Sequence, residues 1–286
     1  MIKDFSQARV ASCGFPHRGM AAFKKVQVLG SVRSFPRIAA LACAALGLAV
    51  EFPTQAAPPD PTALRVGVDP KSPPMIFKQG GQIVGVEADL AGALGQALGR
   101  RVVFVEEDWG NLIDALCEER IDIIMSGMSI TQARRYRIAF TNPYLQVGQM
   151  ALTRNGEQYS YLMNLASQAK NGVGVKAGTT AEFLVRQEFP QLKRKYYKSG
   201  EDAAAALMKK KIDLFISDVP QVWYLAGLYE AKGLAVMPTV LSQEVLGWGV
   251  RRADTQLLDS ANAFLQKAQE TGELRRTLSK WMPGFR

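Results

Sequence analysis

The sequence predicts an α/β protein of two similar lobes joined by two chain crossings. Three observations predict it: short apolar strands alternate with amphipathic helices, the alternation restarts halfway along the chain, and extended segments at Gln149 to Arg154 and Leu246 to Arg251 offer two passages between lobes. With 286 residues, 48% of them hydrophobic, the chain has material for about two cores.

Residues 1–57 read as a leader rather than as part of either lobe. A stretch from Met20 carries Lys24, Lys25, Arg33 and Arg37, an uncharged run follows from Ile38 to Val50, and Pro53-Thr54-Gln55-Ala56-Ala57 closes it. A basic region, a short apolar run and small residues make a secretory signal, and the run is too short for a bilayer-spanning helix. Cleavage is expected after Ala56 or Ala57, and translation starts at Met1 or Met20. The formal charge is +9, but removing the leader leaves 28 of the 35 basic and 24 of the 26 acidic residues, a net +4. That balance argues against a nucleic-acid partner. His17, Cys13 and Cys43 leave with the leader, so Cys117 is the one remaining cysteine and no histidine is left. Ser-His-Asp and Cys-His catalysis, an intramolecular disulfide and a His/Cys zinc site are thereby excluded, and no cofactor is expected. Cys117, in the helical context LIDALCEERIDII, reads as a small core residue.

The elements follow in order. Leu64 to Val68 is a strand that Asp69-Pro70 and Ser72-Pro73-Pro74 turn into a loop. Val84 to Leu98 has helical apolar spacing, Val102 to Val105 is a strand, Leu112 to Cys117 a helix, and Ile121 to Met125 a strand of the continuous apolar kind that lies buried in a sheet. The series then restarts: strand Gly172 to Val175, helices Thr179 to Glu188 and Asp202 to Lys209, and the segment KIDLFIS, which echoes RIDIIMS of the first half. Strand-helix alternation implies parallel βαβ units. The tail, Gln256 to Met282, has two helical patterns and can pack back on the first lobe. The expected organisation is therefore leader 1–57, first lobe 58–148, second lobe 149–245, and a return to the first lobe over 246–286. Ligands of open α/β sheets bind beyond the carboxyl ends of the strands, which here face the cleft between lobes.

Ser126 to Ser129 follows directly on a strand, and Thr131 to Arg134 reads as a helical turn capped by Ser129 or Thr131. Spacing alone describes an ordinary capped helix with solvated arginines. The whole run, DIIMSGMSITQARRYRIAFTNPY, resembles the signature of bacterial extracellular solute-binding proteins of family 3, matching it at Asp122, Ser129, Ile130, Thr131, Arg134, Phe140, Thr141, Pro143 and Tyr144. The resemblance continues through LRVGVDP, VGVEADLAGAL, DWGNLIDAL, VGVKAGTTAEF and GELRRTLSKW, so it covers nearly all of the chain after the leader.

It implies a two-lobed periplasmic binding protein fold of type II and a monomeric periplasmic receptor that captures an amino acid, or a similar small zwitterion or carboxylate, for an inner-membrane ABC permease. Carried over residue by residue, Arg134 would grip the ligand carboxylate through two parallel charge-assisted hydrogen bonds. Ser129 would add its backbone N–H to the carboxylate and its hydroxyl to the ammonium, and Gly127 its carbonyl. Thr179 and Thr180 open a helix whose free N–H groups suit an anion, Asp218 would pair with the ammonium, and Trp109 would wall the cleft. Arg135 and Arg137 have no counterpart in the pattern. The opening loop departs from it: Ser72 and Met75 stand where many relatives carry aromatics, so the usual aromatic sandwich is not expected. Cyclohexadienyl dehydratases resemble the same family and share SGMSI, PYLQVGQ and TGELRRTLSKW, but their general acid would fall at Gln221, and an amide has no proton to give.

Overall fold

The computed structural model describes residues 60, 62–161 and 169–284. The leader, with its cleavage sites and alternative start, lies outside the described residues. Two five-stranded sheets carry the fold. In the first, Ala63–Val68 lies between Arg101–Glu106 and Ile123–Ile124, parallel to both, and Gly249–Val250 pairs antiparallel with Ile123–Ile124 and Ala139–Phe140. In the second, Val173–Val175 lies between Arg194–Tyr196 and Leu214–Asp218, again parallel, and Gln149–Arg154 pairs antiparallel with Leu214–Asp218 and Leu234–Val240. The two lobes thus repeat one strand order. Parallel pairing holds for three strands in each, and the antiparallel additions arise where the chain has just crossed between lobes.

The echo of RIDIIMS in KIDLFIS has a physical basis. Asp122 and Asp213 stand before the third strand of their sheets and accept backbone N–H bonds from the neighbouring segment, Arg65 at 2.9 Å and Asn171 at 2.6 Å. Each also pairs with an arginine, Asp122 with Arg65 at 2.6 Å and Asp213 with Arg154 at 2.7 Å. Burial pushes both carboxyls up, yet these partners hold each below the usual carboxylate range.

Between the sheets runs a two-stranded antiparallel ribbon, Leu145–Val147 with Glu244–Leu246. The crossings therefore sit a few residues before the extended segments expected from sequence, because Gln149–Arg154 and Gly249–Val250 are already integrated into the lobe sheets. The ribbon leaves no room for a side chain at Gly148, where a Cβ would collide with the carbonyl oxygen of Ser242. The tail helices, Thr255–Glu270 and Glu273–Trp281, share one apolar core with helix Val86–Leu98 through Leu90, Leu94, Ala261, Phe264 and Leu274. Cys117 is exposed rather than a core residue. Its helix, Leu112–Cys117, buries Leu112, Ala115 and Leu116, and the next position turns away toward solvent. Among the described residues no helix is long and apolar enough to cross a membrane.

Glu87 ties the first lobe to the ribbon. It is fully buried and accepts hydrogen bonds from the Gly127 N–H at 2.6 Å, the Tyr144 hydroxyl at 2.7 Å and the Trp248 indole N–H at 2.9 Å. Burial raises its pKa against the pull of those donors. Glu87→Ala strands three buried donors and opens a cavity, so it should cost about 3 kcal/mol or more, read as a lower urea midpoint; a shift under about 1 kcal/mol would contradict that account.

Candidate functional site

Two parallel strands of each sheet deliver their next residues to the cleft. Asp69 follows Ala63–Val68, Ser126 and Gly127 follow Ile123–Ile124, Lys176 follows Val173–Val175, and Asp218 ends Leu214–Asp218. A small cavity of about 40 Å³ lies between the lobes, lined by Gly127, Ser129, Thr179, Thr180, Asp218 and Trp109. Six of the seven site residues predicted from sequence thus meet there. Ser72, Met75, Gln149, Lys176 and Gln221 complete the part of the wall that bears on its chemistry.

The seventh, Arg134, stands beside this cavity rather than in its wall. Thr131 caps the short helix Gln132–Arg135, its hydroxyl accepting from the Arg134 backbone N–H at 3.3 Å. The guanidinium donates to the carbonyl of Ser129 at 2.7 Å and, across the cleft, to that of Gly178 at 3.2 Å. It also lies 5.2 Å from the centre of the Trp109 ring. Among the described residues Arg134 makes no ion pair; burial lowers its pKa, and the charges of Asp218 and Glu244 oppose that shift. Arg135 is exposed, and Arg137 is half-exposed and pairs with Asp114 at 2.6 Å.

Gly127 adopts φ +66°, a left-handed conformation that glycine takes without strain, and this aims its N–H at Glu87. Ser129 is buried and bridges to Leu246 of the ribbon. Thr179 caps the helix Thr180–Glu188, its hydroxyl accepting from the Glu182 N–H at 3.3 Å. Trp109 is half-buried, and its indole donates across the cleft to the carbonyl of Gly178 at 3.0 Å.

Asp218 occupies the cap position of the helix Val219–Leu228, but its side chain makes no capping bond. It turns instead to Gln149, whose amide donates to Asp218 at 2.5 Å, to Glu244 at 3.1 Å and to the Thr180 hydroxyl at 3.1 Å. Burial first, and then the carboxylate of Glu244, raise the Asp218 pKa to about 7, against Gln149, Arg134 and Lys176. Gln149, Glu244, Lys176 and Asp69 carried no signal as site residues, because each lies in an ordinary strand or loop. The one clue was their place just beyond or beside strand ends that face the cleft. Among the described residues no cluster of His, Cys, Asp and Glu could hold a metal ion.

Gln221 is buried, accepts from the Ser217 hydroxyl at 2.6 Å and donates across the cleft to the Lys71 carbonyl at 3.2 Å. Both ends of the amide are engaged in positioning.

The family model for bacterial extracellular solute-binding proteins, family 3, matches residues 64–284. The chain is 25% identical over 223 residues to an arginine-binding periplasmic protein of Mannheimia haemolytica, covering 76% of this chain and 90% of that one. It is 31% identical to the solved structure of a putative ABC-transporter binding component from Wolinella succinogenes complexed with lysine, with a TM-score of 0.73 and coverage of 78% and 97%. An ancestral amino-acid-binding protein described as a precursor of cyclohexadienyl dehydratase is also 31% identical, with a TM-score of 0.69 and coverage of 77% and 95%.

Gln149 is the shared donor for two facing half-buried carboxyl groups, Asp218 and Glu244. Gln149→Leu should therefore lower stability by about 2 kcal/mol or more at pH 8, where Asp218 is ionised, and by less at pH 5, below its pKa of about 7. Equal losses at the two pH values would contradict the arrangement.

Proposed function

The chain belongs to the bacterial extracellular solute-binding proteins of family 3, and from that premise we propose that it is a periplasmic receptor that closes over an amino acid and delivers it to an inner-membrane ABC permease. One observation carries the reading: Arg134, which makes no ion pair among the described residues, stands within the electrostatic reach of a half-buried acidic pair, Asp218 and Glu244, beside one interlobe cavity. A zwitterion answers both charges at once. Arg134 and the Ser129 N–H take the α-carboxylate, with the helix N-terminus at Thr179 and Thr180 facing it from the second lobe. Asp218 takes the ammonium, the Ser129 hydroxyl and the Gly127 carbonyl supplement it, and Trp109 walls the cleft. The ribbon Leu145–Val147 with Glu244–Leu246 is the hinge. The leader supports export to the periplasm, and the receptor works as a monomer without cofactor.

This is a binding protein and not an enzyme. The relatives compared with it bear the names of binding proteins, and Gln221 offers no proton where a dehydratase needs an acid.

A thermal-shift panel of amino acids identifies the ligand, since stabilisation follows ligand concentration over Kd. For that ligand, Arg134→Ala should weaken binding by about 100-fold or more, the scale of truncating one partner of a buried charge pair. An unchanged Kd by calorimetry would remove the carboxylate clamp. The pH dependence has a definite sign. Asp218 titrates near 7 in the unliganded site, and the ligand ammonium requires its ionised form. Binding therefore releases a proton below pH 7, and affinity should fall by up to about tenfold per unit as pH drops from 7 toward 5. Asp218→Asn should flatten that slope; a wild-type Kd constant from pH 5 to 8 would contradict the role of Asp218.

A further inference from the structure

We propose that the helix Val219–Leu228 carries an aromatic latch outside the ligand cavity: Tyr224 of the second lobe closes on Phe77 of the first, and this contact sets part of the receptor's affinity by favouring closure, without touching the ligand. The proposal rests on the receptor reading above and deepens it.

The helix has two apolar faces, and its own lobe covers one of them. Val222 and Leu225 are fully buried in the second-lobe core with Ala203, Ala204 and Leu207. Pro220, Trp223, Tyr224, Gly227 and Leu228 recur at steps of three and four and make a second stripe along the same helix. That stripe lines a groove of about 440 Å³ whose opposite wall is Trp281 and Met282, at the end of the first lobe's last helix. The second apolar face thus belongs to the contact between lobes.

The contact is made by rings held firmly on each side. The Phe77 ring lies 5.9 Å from that of Tyr224 with the planes 51° apart, and 5.8 Å from that of Trp281 at 89°. At such spacings offset and edge-on rings attract each other. Phe77 sits in the strand Ile76–Gln79, paired on one side with Lys71–Ser72 and on the other with Gln82–Val84. Trp281 donates its indole N–H to Asp89 at 2.7 Å. Lys71 stands opposite Phe77 in the register, and its carbonyl accepts from the Gln221 amide at 3.2 Å, one helical turn before Tyr224. One hairpin of the first lobe therefore holds one helix of the second at two successive turns.

Phe77, Tyr224 and Trp281 stand outside the wall of the interlobe cavity. The helix begins directly after Asp218, so whatever draws it toward the first lobe brings Asp218 along. Rotation about the ribbon parts the rings and returns the stripe to water, which costs free energy in proportion to the apolar area exposed. A contact made only on closure raises the closed fraction, and apparent affinity scales with that fraction. The latch strengthens binding of every ligand by one factor and leaves the choice among ligands to the cavity.

The test is calorimetric titration of the natural protein, Tyr224→Ala, Phe77→Ala and the double variant with L-arginine, L-lysine, L-histidine, L-glutamine and L-glutamate, with dissociation rates from stopped-flow tryptophan fluorescence. Each single variant should raise Kd by about three- to tenfold, the scale of one aromatic pair. The factor should be the same for every amino acid that the natural protein binds, and it should appear mainly as faster dissociation. The double variant should be little weaker than either single one, because both remove the same contact. Tyr224→Phe, which keeps the ring, should stay within about twofold of the natural protein. An unchanged Kd in the single variants, a changed order of ligands, or losses that multiply in the double variant overturns the inference while leaving the receptor reading intact. Where an alanine variant does not fold, Tyr224→Leu keeps the apolar bulk without the ring: binding weakened by about twofold or more supports the latch, and an unchanged Kd overturns it. Absence of binding of every amino acid by the natural protein overturns the receptor reading and this inference with it.

Discussion

A single buried carboxyl group holds the first lobe, the loop after its third strand and the interlobe ribbon in register. Glu87 enters the core on the first turn of its helix and there meets the Gly127 N–H, the Tyr144 hydroxyl and the Trp248 indole. These donors come from three other stretches of chain: the loop after the third strand, the segment leading into the first hinge strand, and the segment leaving the second. A polar group so deep is tolerated only when its partners are in place. Its position therefore dictates theirs, and the left-handed turn at Gly127 and the orientation of both hinge ends follow from satisfying one acid.

On that frame the cleft is built from charges that the two lobes bring to each other. Direct contacts already join them: the Lys176–Asp69 pair, the bond from Trp109 to the Gly178 carbonyl, and the bond from Gln221 to the Lys71 carbonyl. They hold the two lobes against each other. A bound molecule shifts the balance only through contacts it makes better in the closed form than in the open one. On the proposed function, the residues with that differential are Arg134 on one side and the Asp218–Glu244 pair on the other.

The sequence made the strands, the helices and the repeat legible because each depends on local periodicity, and the matching roles of Asp122 and Asp213 explain why the two halves echo each other. Six of the seven predicted site residues line one cavity, since they follow strands whose ends were recognisable. What stayed hidden is interaction between distant segments. Gln149 reads as one more strand residue until Asp218, Glu244 and Thr180 fold against it, and Glu87 as one more polar position of an amphipathic helix until Trp248 arrives 161 positions later. Cys117 was misplaced for the converse reason: in a short helix one residue of phase separates core from surface. Extended chain looks the same in a crossing and in a sheet, so Gln149–Arg154 reads as a crossing in the sequence while the structure pairs it into the second sheet.

The return of the chain to its first lobe has a bearing on how the molecule is made. The strand Gly249–Val250 inserts between Ile123–Ile124 and Ala139–Phe140, and the helices after it complete the core around Leu90 and Leu94. The second lobe is contiguous in sequence, whereas the first is assembled from both ends of the described chain. During synthesis the later-emerging lobe is thus the earlier one able to close its core. The first must wait with apolar strand edges open until the last helices are delivered, and that interval is its period of greatest exposure to aggregation and proteolysis.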